Sequence, residues 1–535
     1  MEFDYVVVGA GSAGSAVASR LSEDRGVTVA LLDAGERKYI DISKLPAAVL
    51  KTIGNRSFDW NFESEPDPSR EGVRELWPRG KTLGGSSAIN GMIFVRGFPE
   101  DYDLWAERGA SGWKWSDVLP YFRRMEDSVV EENEFRGLAG PQTVSRLRYV
   151  HPLTPKFIAT AQAAGIPFSD DLNGREPAGV GYVQGSIRAG RRQSAYAAYI
   201  EPNLKRTNLT VLDAVQVQRV EFDGRKATGV AGRRREQDIR VRARRGVVLC
   251  AGALGSPHIL MRSGIGPEDD LQRCGIPVVV ARKAVGRNLM EHPGMHFPIE
   301  VTVPTMNREA QAWRAPFHLM RWVLHGNGPV SVPSSQALAF FRSQEDLTRP
   351  DLQLQFNCYA RTFPKGGSTK SLKLENRNLI TMALNLSYPE SRGHLELRSA
   401  NAGTPLAIHP NLLGAESDIR RLVAGMNWVR RILGTQPLAS NIVRTLNIPE
   451  PRGYDADAEF VRRESHPFFH PAGTCRMGID AEAVVTPSLA VRGCEALWVA
   501  DASVFPTQIS GNINATAIMI GDRAADLITT SARRT

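Results

Sequence analysis

Residues 5–14 of the chain read Tyr-Val-Val-Val-Gly-Ala-Gly-Ser-Ala-Gly, an apolar run that leads into three closely spaced glycines. The small residues of 12–21 predict a helix, and a second apolar run at 27–32 ends in Asp33. A buried strand, a glycine-rich turn, a helix and a second strand that ends in an acid form the fingerprint of a dinucleotide-binding unit. This stretch predicts the fold of the first part of the chain.

The three glycines of this stretch have distinct roles in such a unit. Gly9 lets the chain turn tightly, Gly11 lets the backbone approach a pyrophosphate, and Gly14 lets the helix pack closely on the strand. The pyrophosphate would lie at the helix N-terminus, and Asp33 would accept hydrogen bonds from a ribose diol. We therefore expect the chain to begin with its cofactor site.

Composition sets the broad class of the protein. A length of 535 residues suggests two to four domains, and 42% hydrophobic with 23% charged residues is typical of a soluble globular enzyme. No apolar run reaches eighteen residues, so we expect no membrane span. Because Glu2 leads straight into the first strand, a cleaved signal peptide is disfavoured. Five scattered cysteines without a C-x-x-C pair predict a reducing, cytoplasmic location without a disulfide framework or metal site.

The formal net charge of +9 does not by itself indicate a nucleic-acid partner. Much of the excess lies in arginine runs at 233–235 and 240–245, where alternating apolar residues indicate a solvated strand face. Nucleic-acid binding would call for interleaved aromatic residues or a recognition module, and the sequence has neither. We expect a basic surface and no nucleic-acid partner.

The order of patterns along the chain predicts an interrupted nucleotide lobe. The last fifth returns to the first pattern, with an apolar strand at 496–500, Asp501, and a helix at 515–528. Residues 296–410 alternate like an antiparallel sheet with frequent Pro and Gly breaks. We predict an α/β chain (α+β overall), with a Rossmann-like cofactor domain from discontinuous segments and an antiparallel substrate-binding domain. The predicted boundaries are 1–150, 207–295 and 481–535 for the cofactor domain, 151–206 for a substrate-domain or lid segment, and 296–480 for the substrate domain.

Three further segments carry residues suited to chemistry, and each also has a purely structural interpretation. The glycine- and serine-rich loop 80–91 could bring amides and hydroxyls to a planar ligand, or be an ordinary tight turn. His470, held between Phe469 and a proline, could be a catalytic base or a satisfied structural histidine. The loop 511–516 could face a cofactor, or cap the last helix through Asn or Thr.

Taken in order, these segments resemble those of the glucose–methanol–choline (GMC) oxidoreductases, which are FAD-dependent alcohol oxidases and dehydrogenases. The resemblance covers essentially the whole chain. It rests on the N-terminal fingerprint, the loop 80–90, a second signature at 252–266, the His470 motif and the stretch 498–506. Within the family, the chain looks most similar to bacterial choline- and sorbose-dehydrogenase-like members.

The resemblance implies FAD as the bound dinucleotide and places residues around it by motif position. It implies that the ADP half is held by Gly9, Gly11, Ser12, Gly14 and Asp33, with adenine at the backbone of Val217. It implies that the flavin side is approached by Leu83, Gly84, Ser87, Asn90 and Met92, and completed by Asp501, Ala502, Asn512, Asn514 and Thr516. The positive end of the last helix would favour charge building on the flavin as it is reduced.

The catalytic pair and the cofactor linkage follow from individual positions. Some family members link FAD covalently through a histidine, and Ile89 stands at the matching position here, so we expect non-covalent FAD. The resemblance implies a His–Asn pair in which His470 accepts the alcohol proton during hydride transfer to flavin N5 and Asn512 hydrogen-bonds the alkoxide. Asn514 is an alternative to Asn512 as the second catalytic group.

The sequence says less about the substrate and the electron acceptor than about the cofactor. Four aromatic residues of the predicted sheet could line the substrate pocket or form ordinary sheet core: Phe340, Phe341, Phe356 and Tyr359. We expect a primary aromatic or medium-chain alcohol, and a quinone or dye-like acceptor rather than oxygen, with an oxygen-using oxidase as the alternative. A non-redox flavin lyase, a light-driven decarboxylase and a non-enzymatic flavoprotein are further alternatives on the same scaffold.

Overall fold

The structure is a computed structural model that describes residues 1–38, 41–128, 133–311, 313–362 and 373–532. Two seven-stranded sheets dominate it. Their strands are β1 (Glu2–Val8), β2 (Val29–Leu32), β3 (Gly179–Tyr182), β4 (Leu209–Leu212), β5 (Val215–Asp223), β6 (Lys226–Arg234), β7 (Gln237–Leu249), β8 (Pro293–Val301), β9 (Ala337–Phe341), β10 (Leu352–Asn357), β11 (Leu379–Leu386), β12 (Ile442–Thr445), β13 (His466–Pro467) and β14 (Leu497–Val499). The helices of nine or more residues are α1 (Ser12–Leu21), α2 (Pro99–Glu107), α3 (Trp115–Met125), α4 (Leu153–Ala163), α5 (Gly252–Arg262), α6 (Ala315–His325), α7 (Glu416–Leu433), α8 (Tyr454–Glu464) and α9 (Asn514–Ala532).

The first sheet has the order β4-β2-β1-β7-β6-β5, and β14 pairs with β7. Parallel pairing joins β4 to β2, β2 to β1, β1 to β7 and β7 to β14. Antiparallel pairing joins β7 to β6 and β6 to β5. The valine-rich β1 is almost entirely buried, as expected for a central parallel strand covered on both faces. Strand β14 joins this sheet from the far end of the chain, which confirms the discontinuous assembly of the cofactor domain.

Helices α1 and α9 pack closely although some 500 residues separate them. A Cβ at Gly521 of α9 would lie 2.2 Å from the carbonyl oxygen of Ala13, so only glycine permits this approach. Arg20 of α1 also donates to the buried Asp522 of α9 at 2.8 Å. The last helix therefore lies directly against the helix that follows the glycine-rich turn.

The second sheet is antiparallel, with the order β12-β8-β11-β10-β9-β3, and β13 pairs with β8. One face is apolar and packs with α7 in a core that contains Leu354, Met382 and Leu422. The fold class predicted from the sequence is thus confirmed. Strand β3 comes from the 151–206 segment, and the exact domain boundaries stay predictions.

The helices of the described residues were also compared with the length and apolarity that a membrane crossing requires. None of these helices is both long and apolar enough to span a bilayer.

Candidate active site

A cavity of about 690 Å³ lies between the carboxyl ends of the first sheet and the polar face of the second. Cofactor and ligand sites are commonly clefts of this size, and open α/β sheets bind ligands at the carboxyl ends of their strands. Of the residues predicted for the site, the following line the cavity: Gly9, Gly11, Ser12, Asp33, Asn90, Met92, Val217, His470, Asp501, Ala502, Asn512 and Asn514.

The glycine-rich turn forms one end of the cavity. Gly9 has φ of +103°, and a Cβ there would lie 2.5 Å from the carbonyl oxygen of Cys250. A Cβ at Gly14 would lie 1.9 Å from the carbonyl oxygen of Gly9, so Gly14 serves helix packing and does not line the cavity. Helix α1 begins after Gly11 without a side-chain cap, which leaves its first N–H groups for a ligand.

Asp33 is held rigidly at the end of β2. Its Oδ2 accepts a hydrogen bond from the Ala10 N–H at 2.7 Å, and its Oδ1 accepts one from Gly35 at 2.7 Å. Burial raises the pKa of Asp33 to about 7, although these backbone hydrogen bonds oppose the shift. Its carboxyl group is therefore fixed against the cavity wall, where a ribose hydroxyl could reach it.

Several buried donors near this end have no partner among the described residues: His258 Nε2, Arg262 Nε and Nη1, and Arg192 Nη2. His258 and Arg262 line the cavity, and Arg192 donates to Asn90 Oδ1 at 2.8 Å. Buried polar groups in native proteins nearly always have a partner. The unpartnered guanidinium nitrogens of Arg262 in the cavity lining fit an anionic dinucleotide such as FAD.

The loop after Gly80 packs against the glycine-rich turn. A Cβ at Gly85 would lie 2.8 Å from Gly11 Cα, so the two turns touch through glycines. Leu83, Gly84 and Ser87 do not line the cavity. Ser87 Oγ donates to the Gly84 carbonyl at 2.6 Å and accepts from Ala195 N–H at 2.9 Å, which shapes the loop. Ile89, the position of the covalent histidine in some family members, lines the cavity beside Asn90.

Of the C-terminal residues of the predicted site, Asp501 and Asn514 line the cavity and Thr516 does not. Asp501 accepts hydrogen bonds from Gly252 N–H and Ser503 N–H, both at 2.8 Å, and lines the cavity. Asn514 Oδ1 accepts a hydrogen bond from Ser12 Oγ at 2.7 Å, at the start of α1. Thr516 is fully buried against Tyr102, with 2.7 Å between the two hydroxyl oxygens, and does not line the cavity.

His470 lies at the junction of the two sheets and is clamped through its backbone and its ring. Its N–H donates to Glu291 Oε1 at 2.8 Å, and its carbonyl accepts from Gln508 Nε2 at 2.9 Å. Its Nδ1 lies 3.0 Å from His292 Nδ1, and its Nε2 lies 3.0 Å from Asn512 Nδ2. His470 and Asn512, 42 residues apart, therefore meet in the cavity.

The partners of His292 determine which nitrogen of His470 carries the proton. His292 Nε2 lies 3.0 Å from the Ile509 carbonyl, which can only accept, so Nε2 is the protonated nitrogen. Burial lowers the pKa of His292 to about 4, so the ring is neutral and its Nδ1 accepts a hydrogen bond. His470 Nδ1 must then donate to it. Nε2 of a neutral His470 is left with its lone pair towards Asn512 and the cavity.

The electrostatic surroundings keep His470 neutral. Burial lowers the pKa of His470 well below its usual value of 6.5, and His292 and Arg79 lower it further. Burial also raises the pKa of Glu291 to about 8, although the N–H groups of His470 and His292 donate to its Oε1. An uncharged imidazole whose unprotonated nitrogen faces the cavity is the form that a general base requires.

The side-chain amide of Asn512 is oriented from the second sheet. Gln353 Nε2 donates to Asn512 Oδ1 at 3.3 Å, which directs the Asn512 Nδ2 group towards His470. Gln353 Oε1 in turn accepts from Asn385 Nδ2 at 2.8 Å and from Gln355 Nε2 at 3.2 Å. Sequence reasoning missed Gln353 and His292. The signal for Gln353 was present, because every second residue of 352–357 is polar.

The expected aromatic lining of the substrate pocket is largely wrong. Phe341 and Phe356 point to the apolar face of the second sheet and lie in its core, and Phe340 packs on Phe98 at 5.3 Å between ring centroids. Of the four predicted residues, Tyr359 lines the cavity. Neighbouring residues of a strand face opposite ways, so Phe340 and Phe341 could not both face one pocket. The cavity wall contributed by β10 is polar instead.

Outside the cavity, ligand atoms of His394, Glu396 and His409 lie within 4.8 Å of one another. The two imidazole rings stack with 4.4 Å between centroids and 11° between planes, so their in-plane lone pairs do not converge on one point. Glu396 also accepts from Arg273 at 2.8 Å. This arrangement is not preformed for a metal ion, and we assign no metal to it.

Comparison with known proteins agrees with this geometry. Family models of the GMC oxidoreductases match residues 3–294 and 389–521. The chain belongs to the GMC oxidoreductase family. The human mitochondrial choline dehydrogenase is 36% identical over 98% of this chain and 90% of that protein. The oxygen-dependent choline dehydrogenase of Rhizobium etli is 37% identical, over 99% of this chain and 96% of that protein.

A solved structure is also similar to this GMC oxidoreductase along nearly its whole length. Pyridoxine 4-oxidase from Mesorbium loti superposes with a TM-score of 0.88 at 30% identity, over 98% of both chains. Membership of this family establishes an alcohol-oxidising flavoenzyme with FAD as its cofactor. The expectations of an oxidoreductase, of FAD and of GMC membership are therefore confirmed.

Proposed function

We propose that this GMC oxidoreductase oxidises a primary alcohol to its aldehyde with His470 as the general base and Asn512 as its hydrogen-bonding partner. The observation that supports this most directly is the 3.0 Å contact between His470 Nε2 and Asn512 Nδ2 at the cavity wall. Asn512 Nδ2 and His470 Nε2 are thus neighbours at the cavity wall. An alcohol oxygen there would be in reach of both groups.

The two side chains have complementary tasks in the proposed reaction. When bound, FAD supplies the hydride acceptor, at flavin N5. His470 Nε2 takes the hydroxyl proton of the substrate. The N–H of Asn512 donates to the oxygen as negative charge develops on it, and Gln353 keeps that N–H correctly oriented. His292 holds the Nδ1 proton of His470, so that the proton is accepted at Nε2.

The start of helix α9 adds a fixed field to this site. The helix begins at Asn514, two residues after Asn512, and both residues line the cavity. The N-terminus of a helix carries a partial positive charge and favours anions nearby. It would stabilise negative charge that develops in this part of the cavity.

The experiment that tests the function is anaerobic titration of the FAD-loaded protein with a panel of alcohols. Bleaching of the flavin spectrum by a primary alcohol, with the aldehyde as product, is the expected result. We propose an acceptor other than oxygen, because Phe468 and Phe469 add bulk to the cavity wall. Dye reduction should then exceed peroxide formation in air. If no alcohol bleaches the flavin, alcohol oxidation is refuted and a lyase on the same scaffold is favoured.

We also propose that FAD is bound without a covalent link. Ile89 has no nucleophilic atom, and it lies where the linking histidine would be. Precipitating the protein in acid should leave the yellow colour in the supernatant. Colour that remains with the pellet would contradict this prediction. The cytoplasmic location predicted from the sequence stays a prediction.

The rate of flavin reduction should depend on pH through His470. Protonated His470 has no lone pair at Nε2, so the rate falls as the pH falls through the pKa of this residue. Because that pKa lies well below 6.5, reduction should stay fast at pH 6.5 and decline only in more acidic solution. Anaerobic stopped-flow measurements across this range test it. A half-maximal rate above pH 6.5 would show that the site does not hold His470 neutral.

A further inference from the structure

Three carboxamides lie in a row on the cavity-facing side of strand β10, and we call them the carboxamide wall: Gln353, Gln355 and Asn357. The alternate residues of the strand are buried in the core on the opposite face: Leu352, Leu354 and Phe356. Gln355 and Asn357 line the cavity, and Gln353 donates to Asn512. The wall therefore begins at the proposed reaction site and continues along the cavity.

The spacing of a strand sets how far the wall reaches. Each residue advances about 3.3 Å, so Gln355 lies about 7 Å and Asn357 about 13 Å along the strand from Gln353. Across the sheet from Gln355 lies Ala383, and beyond it His296, which also lines the cavity. Because Ala383 is small, it leaves space between the side chains of Gln355 and His296. Gln355 and Asn357 would meet the part of a substrate that does not react.

The hydrogen bonds of the wall are incomplete. Ser335 Oγ lies 3.2 Å from Gln355 Oε1 and also contacts Asn357 Oδ1, but a hydroxyl has one hydrogen to donate. Ser335 can therefore donate to only one of these two oxygens. Asn357 Nδ2 donates to no acceptor among the residues that the structure describes. Gln355 and Asn357 are each only 8% exposed, so a ligand group that completes their hydrogen bonds in the cavity would be favoured.

The charge near the wall disfavours a cation. The second-sheet residues that line the cavity are His296, Gln355, Asn357 and Pro467, and none of these described residues has a carboxylate. Glu63 and Glu65 line the cavity from outside this sheet, and Glu65 is paired with Arg398. Arg79, which donates to the Phe469 carbonyl at 2.6 Å, adds a positive charge to the same cavity. A quaternary ammonium group is normally recognised by aromatic faces or opposite charge. The three carboxamides offer such a group neither, and the aromatic rings that line the cavity come from outside the wall: Trp60, Phe62, Tyr359, Phe468 and Phe469.

We propose that the carboxamide wall makes this enzyme select an uncharged alcohol whose non-reacting part exchanges hydrogen bonds with Gln355 and Asn357. Such a substrate is preferred to an apolar alcohol of the same shape and to a quaternary-ammonium alcohol. This inference rests on the proposed function, because it takes the alcohol oxygen to lie at His470 and Asn512. A hydroxymethyl group on a nitrogen heterocycle has this chemistry, since its ring nitrogen accepts a hydrogen bond.

The test compares three probes on the FAD-loaded protein: hydroxymethylpyridine, benzyl alcohol and choline. The first two have the same shape and differ in one hydrogen-bond acceptor, which is worth about tenfold. We expect kcat/KM for anaerobic flavin reduction to be about tenfold higher for hydroxymethylpyridine than for benzyl alcohol, and lowest for choline. An equal or greater value for benzyl alcohol or choline overturns the inference but leaves alcohol oxidation standing.

Binding that needs no turnover separates this inference from the proposed function. Calorimetric titration with methylpyridine, toluene and tetramethylammonium measures selection by the wall alone. If methylpyridine binds most tightly but no alcohol bleaches the flavin, the wall is supported and the proposed function fails. If toluene or tetramethylammonium binds as tightly as methylpyridine, the selection that we propose is absent.

Two variants place the preference on the wall itself. In Asn357→Leu the preference for hydroxymethylpyridine over benzyl alcohol should fall about tenfold, because the amide donor is lost. In Asn357→Asp a carboxylate replaces the amide, and the relative kcat/KM for choline should rise. Asn427→Leu, an exposed position on α7 outside the cavity, is the matched control and should keep the wild-type ratio. A wild-type ratio in both Asn357 variants overturns the inference.

Discussion

Replacing His470 with alanine is expected to slow flavin reduction by about 10²–10⁴-fold, the usual contribution of a well-placed general base. His470 Nε2 carries the lone pair that faces Asn512 in the cavity. The hydrogen bond between His470 Nδ1 and His292 Nδ1 fixes this tautomer. Stopped-flow reduction of the FAD-loaded variant by a bleaching alcohol measures the effect. The absorbance of the purified variant should show that FAD is still bound, since the glycine-rich turn, Asp33 and Arg262 are unchanged.

A second histidine serves as the control for this variant. His325, at the exposed end of α6, does not line the cavity, so His325→Ala should reduce its flavin at the wild-type rate. Near-normal reduction in His470→Ala would remove His470 from the reaction. The acidic decline described above should also disappear in this variant, because the group that titrates is gone.

Replacing Asn512 with leucine is expected to lower the rate of flavin reduction by about 10²–10³-fold, the usual effect of removing one donor to a developing oxyanion. Leucine has a similar shape but cannot donate to the substrate oxygen or to His470. In Asn512→His, a ring N–H could replace the amide N–H, so we expect part of the rate to return. Single-turnover reduction compares the two variants at saturating alcohol.

Asn514 provides the matched comparison for Asn512. Its Oδ1 accepts from Ser12 at the start of α1, so its side chain is engaged at the glycine-rich turn and not at His470. Asn514→Leu should therefore keep its rate of flavin reduction when fully loaded, and any loss should appear as weaker retention of FAD. If Asn514→Leu abolishes reduction and Asn512→Leu does not, the two residues have exchanged roles.

The sequence was most informative where the signal is local. The strand, turn and helix at 5–21 and the helix predicted at 515–528 both appear in the structure, the latter as Asn514–Ala532. Glycines report backbone geometry directly, because a Cβ at Gly9 or Gly14 would collide with backbone atoms. Signals of this kind need no knowledge of distant partners.

The aromatic lining shows where local reasoning failed. Phe340 and Phe341 are neighbours in sequence, and Phe356 lies in a strand with clear alternation. Which face of a strand is buried depends on what packs against it, and here α7 packs on Phe341 and α4 packs on Phe356. The polar alternation of β10 was readable, but its meaning required the position of Asn512 on the other side of the cavity.

The sequence by itself determined the dinucleotide-binding fingerprint and the family, and it singled out His470 as the candidate base, because each signal depends on residues that are close along the chain. Only the tertiary structure decided the tautomer of His470, the orientation of Asn512 and the polar character of the cavity wall. These depend on His292, directly before β8, and on Gln353 and Asn357 of β10, all far along the chain from His470 and Asn512. Their contacts arise when two sheets close on one cavity, and no spacing along the chain encodes that distance.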